Sequence, residues 1–381
     1  MKNVIVDLIV SQPVAGSQFH GGGEYVKTVF KTLCENFSDK VSISAFLDPE
    51  RFMDKWVYDL IAKYNINLCK VKNYKEVENL QEFKKSDVFF AGLLSAVKVL
   101  SFPDHMKVIA VYHGFRSLEM PTESTAPLYE NTLKGKVKES LKLTFKKKYF
   151  NQKYMEMKAM IDKCDYIIGV SEHSGYAART FFPEFDTSKI KVYYSPAKYI
   201  ETVEGIDEVQ REKYILMLGG NRWVKNVYRG MMAIDNLFSK GYLSGYTVAI
   251  VGGIPKSILN KVHNKDRFTP LGYVPAEELE KWYKRCAVFF YPTLNEGFGY
   301  PPLEAMKYGT TCVISAVNSL PEIYKDSVYY CNPYDINEME GRILQALDSP
   351  LPEILIDSAC KRIENKQKAD LLSLCNLIVD A

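Results

Sequence analysis

Two carboxylates, Glu296 and Glu304, stand with seven residues between them in Glu296-Gly-Phe-Gly-Tyr-Pro-Pro-Leu-Glu304. Each carries two acceptor oxygens, a match for the paired hydroxyls of a ribose or a sugar diol. Two cations, Arg222 and Lys225, lie three apart in Leu218-Gly-Gly-Asn-Arg222-Trp-Val-Lys225-Asn226. Beside a helix start they would neutralise a leaving diphosphate. Gly21, Gly22 and Gly23 follow His20 and let backbone N–H groups approach an anion closely. His113 closes the apolar run Val108–Tyr112. Each feature also has a plainer reading: surface cations, a flexible glycine turn, a hydrogen-bonded structural histidine.

The elements around these residues decide what they can do together. Ala287-Val-Phe-Phe-Tyr-Pro292 is an apolar run of strand length, and Leu303-Glu-Ala-Met-Lys-Tyr-Gly309 reads as a helix with a glycine stop. Pro301 and Pro302 suit a first helical turn, where a missing N–H costs nothing. Strand, glycine turn and helix start leave N–H groups pointing at one spot. Both carboxylates would face the crevice at the carboxyl edge of a parallel sheet, where open α/β folds bind ligands.

The stretch Glu296–Glu304, continued by Ala305-Met306, resembles the E-x7-E signature of glycosyltransferase family 4. These are retaining enzymes of GT-B architecture that use nucleotide-activated sugars. The match runs on through Tyr308-Gly309, Ser315, Ser319-Leu-Pro-Glu322 and Asn332-Pro-Tyr-Asp335. Upstream it takes in Leu271-Gly-Tyr-Val-Pro275 and the Leu218–Asn226 stretch, so the C-terminal half carries it. The resemblance implies a role for each residue. Arg222 and Lys225 would act on the donor diphosphate, with the Gly21–Gly23 loop facing it. His113 would touch the donor sugar. Glu296, with Gly297 and the backbone of Phe298 and Gly299, would bind sugar hydroxyls. Glu304 would bind the ribose diol, and Tyr273 and Val274 would lie by the base. Glu296, His113, Arg222 and Lys225 are the expected catalytic set. Ser171 matches the family's serine after the equivalent strand and is not read as catalytic. The chain departs from the family at Ser195-Pro196 and Thr310-Thr311, where Asn-Gly and Thr-Pro are usual.

The implied reaction moves a hexose from a nucleoside diphosphate sugar, GDP-mannose or a UDP-hexose, to an acceptor hydroxyl in bacterial surface-polysaccharide synthesis. The acceptor is a glycan or a lipid-linked sugar. Rival readings are a nucleotide-sugar epimerase of the same architecture, a noncatalytic sugar-nucleotide sensor, and a glycosidase or phosphorylase. An α/β-hydrolase would need a G-x-S-x-G elbow beside the His-Gly-Gly-Gly stretch, and Gly169-Val-Ser171-Glu-His173 lacks its last glycine. No D-x-D sequence occurs, and no metal or other cofactor is expected.

A chain of 381 residues, 47% hydrophobic and 25% charged, suits two ordinary domains, and a net charge of +3 gives no global argument for nucleic acid. Eight cysteines without C-x-x-C spacing read as buried thiols in a reducing compartment. No stretch reaches membrane-spanning length. The expected location is the cytoplasm, with peripheral contact at the inner membrane face.

Short apolar runs alternating with amphipathic segments indicate an α/β fold: two Rossmann-like α/β domains facing a central cleft. The candidate strands are Val4–Val10, Val41–Phe46, Val88–Ala91, Val108–Tyr112, Tyr166–Val170 and Ile190–Tyr194, then Tyr214–Leu218, Thr247–Val251, Phe268–Leu271, Val288–Tyr291, Cys312–Ser315 and Val328–Cys331. The polar, acidic stretch Lys198–Glu208 reads as the linker. Residues 1–200 would form an acceptor-side domain and 201–365 the nucleotide-sugar domain. A helix in 366–381, placed at Lys368–Val379, would by family resemblance return to the first domain. Between Lys134 and Lys153 stand eight lysines and one acid, Glu139, interleaved with Leu141, Phe145 and Tyr149. Such a segment suits an anionic membrane surface or a solvated helix packed on its own core.

Overall fold

The computed structural model describes residues 1–13, 21–197 and 210–381. His20 and the expected linker Lys198–Glu208 lie outside the described residues. The chain divides into two compact units. The first holds Met1–Phe115, Lys153–Thr202 and Glu364–Ala381; the second holds Arg116–Gln152 and Val203–Ile363.

The first unit is built on β1 (Lys2–Asp7), β2 (Val41–Leu47), β3 (Asn67–Lys70), β4 (Val88–Ala91), β5 (Lys107–Tyr112), β6 (Tyr166–Gly169) and β7 (Ile190–Val192). They pair in parallel in the order β3-β2-β1-β4-β5-β6-β7. Val4, Ile5, Val6, Phe89, Phe90 and Ile109 are fully buried because helices cover both faces, which is why these strands read as continuous apolar runs. The first strand ends at Asp7, short of the expected Val10. Asp7 Oδ1 accepts from the N–H groups of Ile9 at 2.8 Å and Val10 at 3.4 Å and turns the chain out of the sheet. The edge strand β3 was not expected. It is four residues long, and only Leu68 and Cys69 of it are apolar.

The second unit is built on β8 (Glu212–Leu218), β9 (Thr247–Val251), β10 (Phe268–Gly272), β11 (Cys286–Tyr291), β12 (Cys312–Ser315) and β13 (Tyr329–Cys331). Their order is β10-β9-β8-β11-β12-β13, again parallel. Ile215, Met217, Val248, Ile250, Val288 and Phe290 pack with Val227, Met231, Ile234 and Leu237 of the helix Val227–Ser239. The segment Arg116–Gln152 joins this unit through specific bonds. Tyr129 OH accepts from the N–H of Tyr228 at 2.8 Å, Ser257 Oγ donates to the carbonyl of Leu128 at 2.6 Å, and Arg229 pairs with Glu123 at 2.8 Å.

Each sheet reverses its strand order once, between β1 and β4 and between β8 and β11. The segments leaving two such strands go to opposite faces and open a crevice at the carboxyl edge. These two places are where the chemistry-bearing residues belong.

The C-terminal helix runs Glu353–Asp380, longer than the expected Lys368–Val379. From Glu364 it groups with the first unit, where Gln367 Nε2 donates to the carbonyl of Ser195 at 2.6 Å and Asp370 accepts from the N–H of Tyr194 at 2.8 Å. All eight cysteines are buried free thiols. No described helix is long and apolar enough to cross a membrane.

Candidate functional site

The turn after β8 delivers the two cations. Gly219 and Gly220 both donate their N–H to the carbonyl of Val251, at 2.8 and 3.1 Å. Gly219 has φ +81°, and a Cβ there would stand 2.5 Å from Lys225 Cγ. Only glycine lets the lysine stem pass. A short turn, Trp223–Lys225, follows, and Asn226 at φ +54° redirects the chain into the helix Val227–Ser239. Asn226 is fully buried and its Nδ2 holds the carbonyl of Pro333 at 2.7 Å.

The turn after β11 delivers Glu296. It is tied to the first turn at Val224, whose carbonyl accepts from Leu294 N at 2.8 Å and from Thr293 Oγ1 at 3.1 Å. Lys225 Nζ therefore sits 2.6 Å from Glu296 Oε1. The same oxygen accepts from Tyr291 OH at 2.7 Å and Thr293 Oγ1 at 2.9 Å, and Lys225 Nζ also bonds Tyr291 OH. Downstream, Ser319 Oγ donates to the carbonyls of Glu296 and Phe298. Gly299, at φ +88°, caps the helix Tyr300–Met306, which carries proline in its first turn as expected. A Cβ on Gly299 would meet Leu320 Cδ2 at 2.4 Å. Tyr324 OH bonds the carbonyl of Gly299 and accepts from the N–H of Leu303.

This cluster is short of negative charge. Burial works against a charged Glu296, but the Lys225 ammonium and the bonds from Lys225, Tyr291 and Thr293 outweigh it and hold the carboxyl below its usual range. Burial pushes Lys225 down, Glu296 draws it up, and Arg222 and Arg116 push it down again. Arg222 is solvent-exposed and makes no hydrogen bond or ion pair through its guanidinium among the described residues. Arg222, Lys225 and Arg116 thus act on one another here and Glu296 offsets them only in part, the electrostatics of a site for a polyanion.

Of the other expected residues in this unit, Glu304 lies one turn into its helix and accepts from the buried Tyr283 OH at 3.0 Å. Tyr273 is 63% exposed and Val274 buried, both just beyond β10 at the same sheet edge. Gly297 is half-buried and Phe298 buried against Tyr300. In the first unit Gly21, Gly22 and Gly23 are not a loop, as expected, but the opening turn of the helix Gly21–Phe37. They follow β1, while His113 follows β5. The His113 ring nitrogen Nε2 lies 2.9 Å from the carbonyl of Gly92, which follows β4, and its ring meets Tyr25 edge-on at 5.1 Å. The first unit's candidates therefore gather at its own reversal point. Ser171 caps the helix Glu172–Phe181 in a reciprocal pair with Ser174, a structural role. Among the described residues no group of three or more His, Cys, Asp or Glu could hold a metal.

Sequence reasoning missed Tyr291, Thr293 and Arg116. Tyr291 had a signal, a polar tip ending an apolar strand. Arg116 had none, since it lies 106 positions before Arg222.

Residues 201–369 match the family model described as glycosyl transferases group 1. The chain is 46% identical over 77 residues to the O-antigen chain mannosyltransferase B of Escherichia coli, 20% of either protein. It is 25% identical over 244 residues to the O-antigen chain mannosyltransferase RfbU of Salmonella typhimurium, 62% of this chain and 66% of that one. The matches therefore span less than two thirds of either relative's own length. The Anabaena protein HepE, solved in complex with UDP, superposes with a TM-score of 0.62 at 13% identity, over 100% of this chain and 99% of its own. The fold is GT-B, two Rossmann-like α/β units. The family model and both relatives are of glycosyltransferases, and the likeness to HepE shows the fold.

Proposed function

We propose that this chain is a retaining glycosyltransferase of family 4 that moves a hexose from a nucleoside diphosphate sugar to an acceptor hydroxyl in bacterial surface-polysaccharide synthesis. The observation that carries this reading is the Arg222, Lys225 and Glu296 cluster at the reversal point between β8 and β11. GDP-mannose is the first donor to try, because the relatives are mannosyltransferases by name; a UDP-hexose is the second, because HepE is seen with UDP.

The bond that breaks joins the anomeric carbon to a phosphate oxygen. Negative charge grows on the departing diphosphate, and Arg222 and Lys225 would stabilise it without a metal. The new bond forms from the acceptor oxygen to the anomeric carbon on the same face. The acceptor's proton goes to the leaving phosphate oxygen. Glu296 and the Gly297–Gly299 backbone would hold the sugar hydroxyls, Glu304 the ribose diol, and Tyr273 with Val274 the base. By the family resemblance His113 would touch the donor sugar and the Gly21–Gly23 helix start would face its diphosphate. A cytoplasmic protein touching an anionic membrane through Lys134–Lys153 would meet a lipid-linked acceptor there.

The test is a thermal-shift screen with GDP-mannose, UDP-glucose and UDP-galactose, followed by product analysis with and without acceptor in excess chelator. A ligand held only by the folded state raises the melting temperature. Transfer to acceptor with the anomeric configuration kept supports the reading. Epimerised donor without acceptor makes it an epimerase, binding without turnover makes it a sensor, and no shift with any nucleotide sugar overturns all three.

A further inference from the structure

The short helix Arg116–Glu119 is pinned to both site turns at once. At one end the Arg116 guanidinium lies over the Trp223 ring, 6.0 Å from its centroid, and Trp223 stands directly after Arg222 and two residues before Lys225. At the other end Glu119 Oε2 accepts from Asn295 Nδ2 at 2.8 Å, and Asn295 immediately precedes Glu296. The helix therefore bridges the turn after β8 and the turn after β11, over the place where Lys225 and Glu296 pair. Behind it the same segment is anchored by Glu123 on Arg229 and by Tyr129 on the Tyr228 N–H.

We propose that Arg116 is a third donor-binding cation, which together with Arg222 and Lys225 takes the diphosphate of the nucleotide; this rests on the reading of Arg222 and Lys225 given above. Arg116 is exposed at the surface, so its donors are open to a ligand. Its placement is not that of a structural ion pair. Protein packed around it pushes its guanidinium down, Arg222 pushes further, and Glu296, already held by Lys225, draws it only partly back. Like charges are brought together here at a cost that a bound polyanion would relieve. A planar fork stacked on an aromatic ring is also preorganised for phosphate oxygens, which lysine would not reproduce.

The experiment is calorimetric titration of GDP against GMP, and UDP against UMP, into wild type, Arg116→Gln, Arg116→Lys and Arg222→Gln, with thermal melts to show each variant folded. Arg116→Gln should weaken the diphosphate by about tenfold or more and leave the monophosphate within about twofold, with Arg116→Lys between. A loss that strikes monophosphate and diphosphate alike would mean that Arg116 only positions the Trp223 turn, and the proposal falls. If Arg222→Gln selectively weakens the diphosphate but Arg116→Gln does not, Arg116 is overturned while the diphosphate site stands. If neither does, the diphosphate site falls with it.

Discussion

Lys225 and Glu296 hold each other at 2.6 Å across the two turns that leave β8 and β11, with side chains only 11% and 12% exposed. Arg222, three residues earlier, has no such partner among the described residues and faces solvent. The two cations should therefore fail differently. Arg222→Gln should cut turnover by about a hundredfold and leave the melting temperature within a degree or two, because its target is charge that grows in the transition state. Lys225→Ala should lose turnover and also about 3 kcal/mol of stability, since it strands a buried carboxylate. Urea melts of both variants beside kcat measurements check this. Equal stability loss would show that Arg222 also has a structural partner.

Glu304 is tied to the buried hydroxyl of Tyr283 at 3.0 Å, so truncating it does two things at once. Glu304→Ala leaves that hydroxyl unsatisfied, a cost of about 1–3 kcal/mol in stability. Glu304→Gln keeps an acceptor for Tyr283 but removes the charge. It should melt like wild type and bind the donor about tenfold more weakly, if the carboxylate holds the ribose diol. A 2′,3′-dideoxy nucleoside diphosphate should bind wild type and Glu304→Gln equally. A variant that still distinguishes the two ligands as wild type does would take Glu304 out of the nucleotide site.

Gly219 touches no ligand in this scheme, yet its missing Cβ leaves room for the Lys225 stem. Gly219→Ala meets a 2.5 Å contact with Lys225 Cγ and a φ of +81° that L side chains disfavour. Turnover should fall toward that of Lys225→Ala, with about 1–2 kcal/mol of stability lost to the backbone. The double variant Gly219→Ala/Lys225→Ala should be little worse than Lys225→Ala alone, because both act on one ammonium. Additive losses would show that the glycine acts elsewhere.

Much of this was legible in the chain because parallel sheets announce themselves. Strands such as Val88–Ala91 and Cys312–Ser315 are buried on both faces, so their apolar runs have the length of the strand itself. The Glu296 turn was legible because glycine at φ +88° and two prolines in a helix start are demanded by backbone geometry alone. What escaped was set by partners distant in sequence. β3 is an edge strand with little to bury. Glu296 could be read as a ligand for sugar hydroxyls, but its pairing with Lys225, 71 residues away, belongs to the folded state. The glycine triplet reads as a loop by composition and folds as a helix turn, because Tyr25, Val26, Val29 and Phe30 behind it supply the burial that glycine lacks.

Asp7 should give the first unit a pH dependence. It is fully buried, and burial pushes its carboxyl from 3.8 up to about 7, despite bonds from Tyr74 OH and the Ile9 and Val10 N–H groups. The folded state then holds a proton that the unfolded state has released. Its contribution is complete below about pH 4 and is lost as the pH rises through about 7, at up to about 1.4 kcal/mol per pH unit. Asp7→Asn cannot titrate, so it should gain on wild type across that window by as much as about 4 kcal/mol. Urea melts at pH 4.5 and 8, wild type against variant, provide the measurement. A stability difference that does not change with pH would mean that Asp7 stays ionised in the fold.

The helix Leu133–Thr144 buries none of its residues. Leu133, Val137, Leu141 and, just past its end, Phe145 recur at four-residue spacing and are 80%, 49%, 51% and 57% exposed. Packing on the protein's own core does not account for this row, and Tyr149, half-buried under Lys142, does not extend it. Lysines 134, 136, 138, 142, 146, 147 and 148 flank it. An apolar stripe between lysines suits the headgroup region of an anionic bilayer, at about 1 kcal/mol for each lysine near the surface. Cosedimentation with phosphatidylglycerol vesicles should fall as salt rises, and more than tenfold on replacing Lys146, Lys147 and Lys148 with glutamine. Leu141→Ser with Phe145→Ser should weaken binding at every salt concentration, because the apolar share is not screened. Donor binding in solution should be unchanged in both variants. Partitioning that ignores salt and both sets of substitutions would remove the membrane and leave the exposed stripe to another partner.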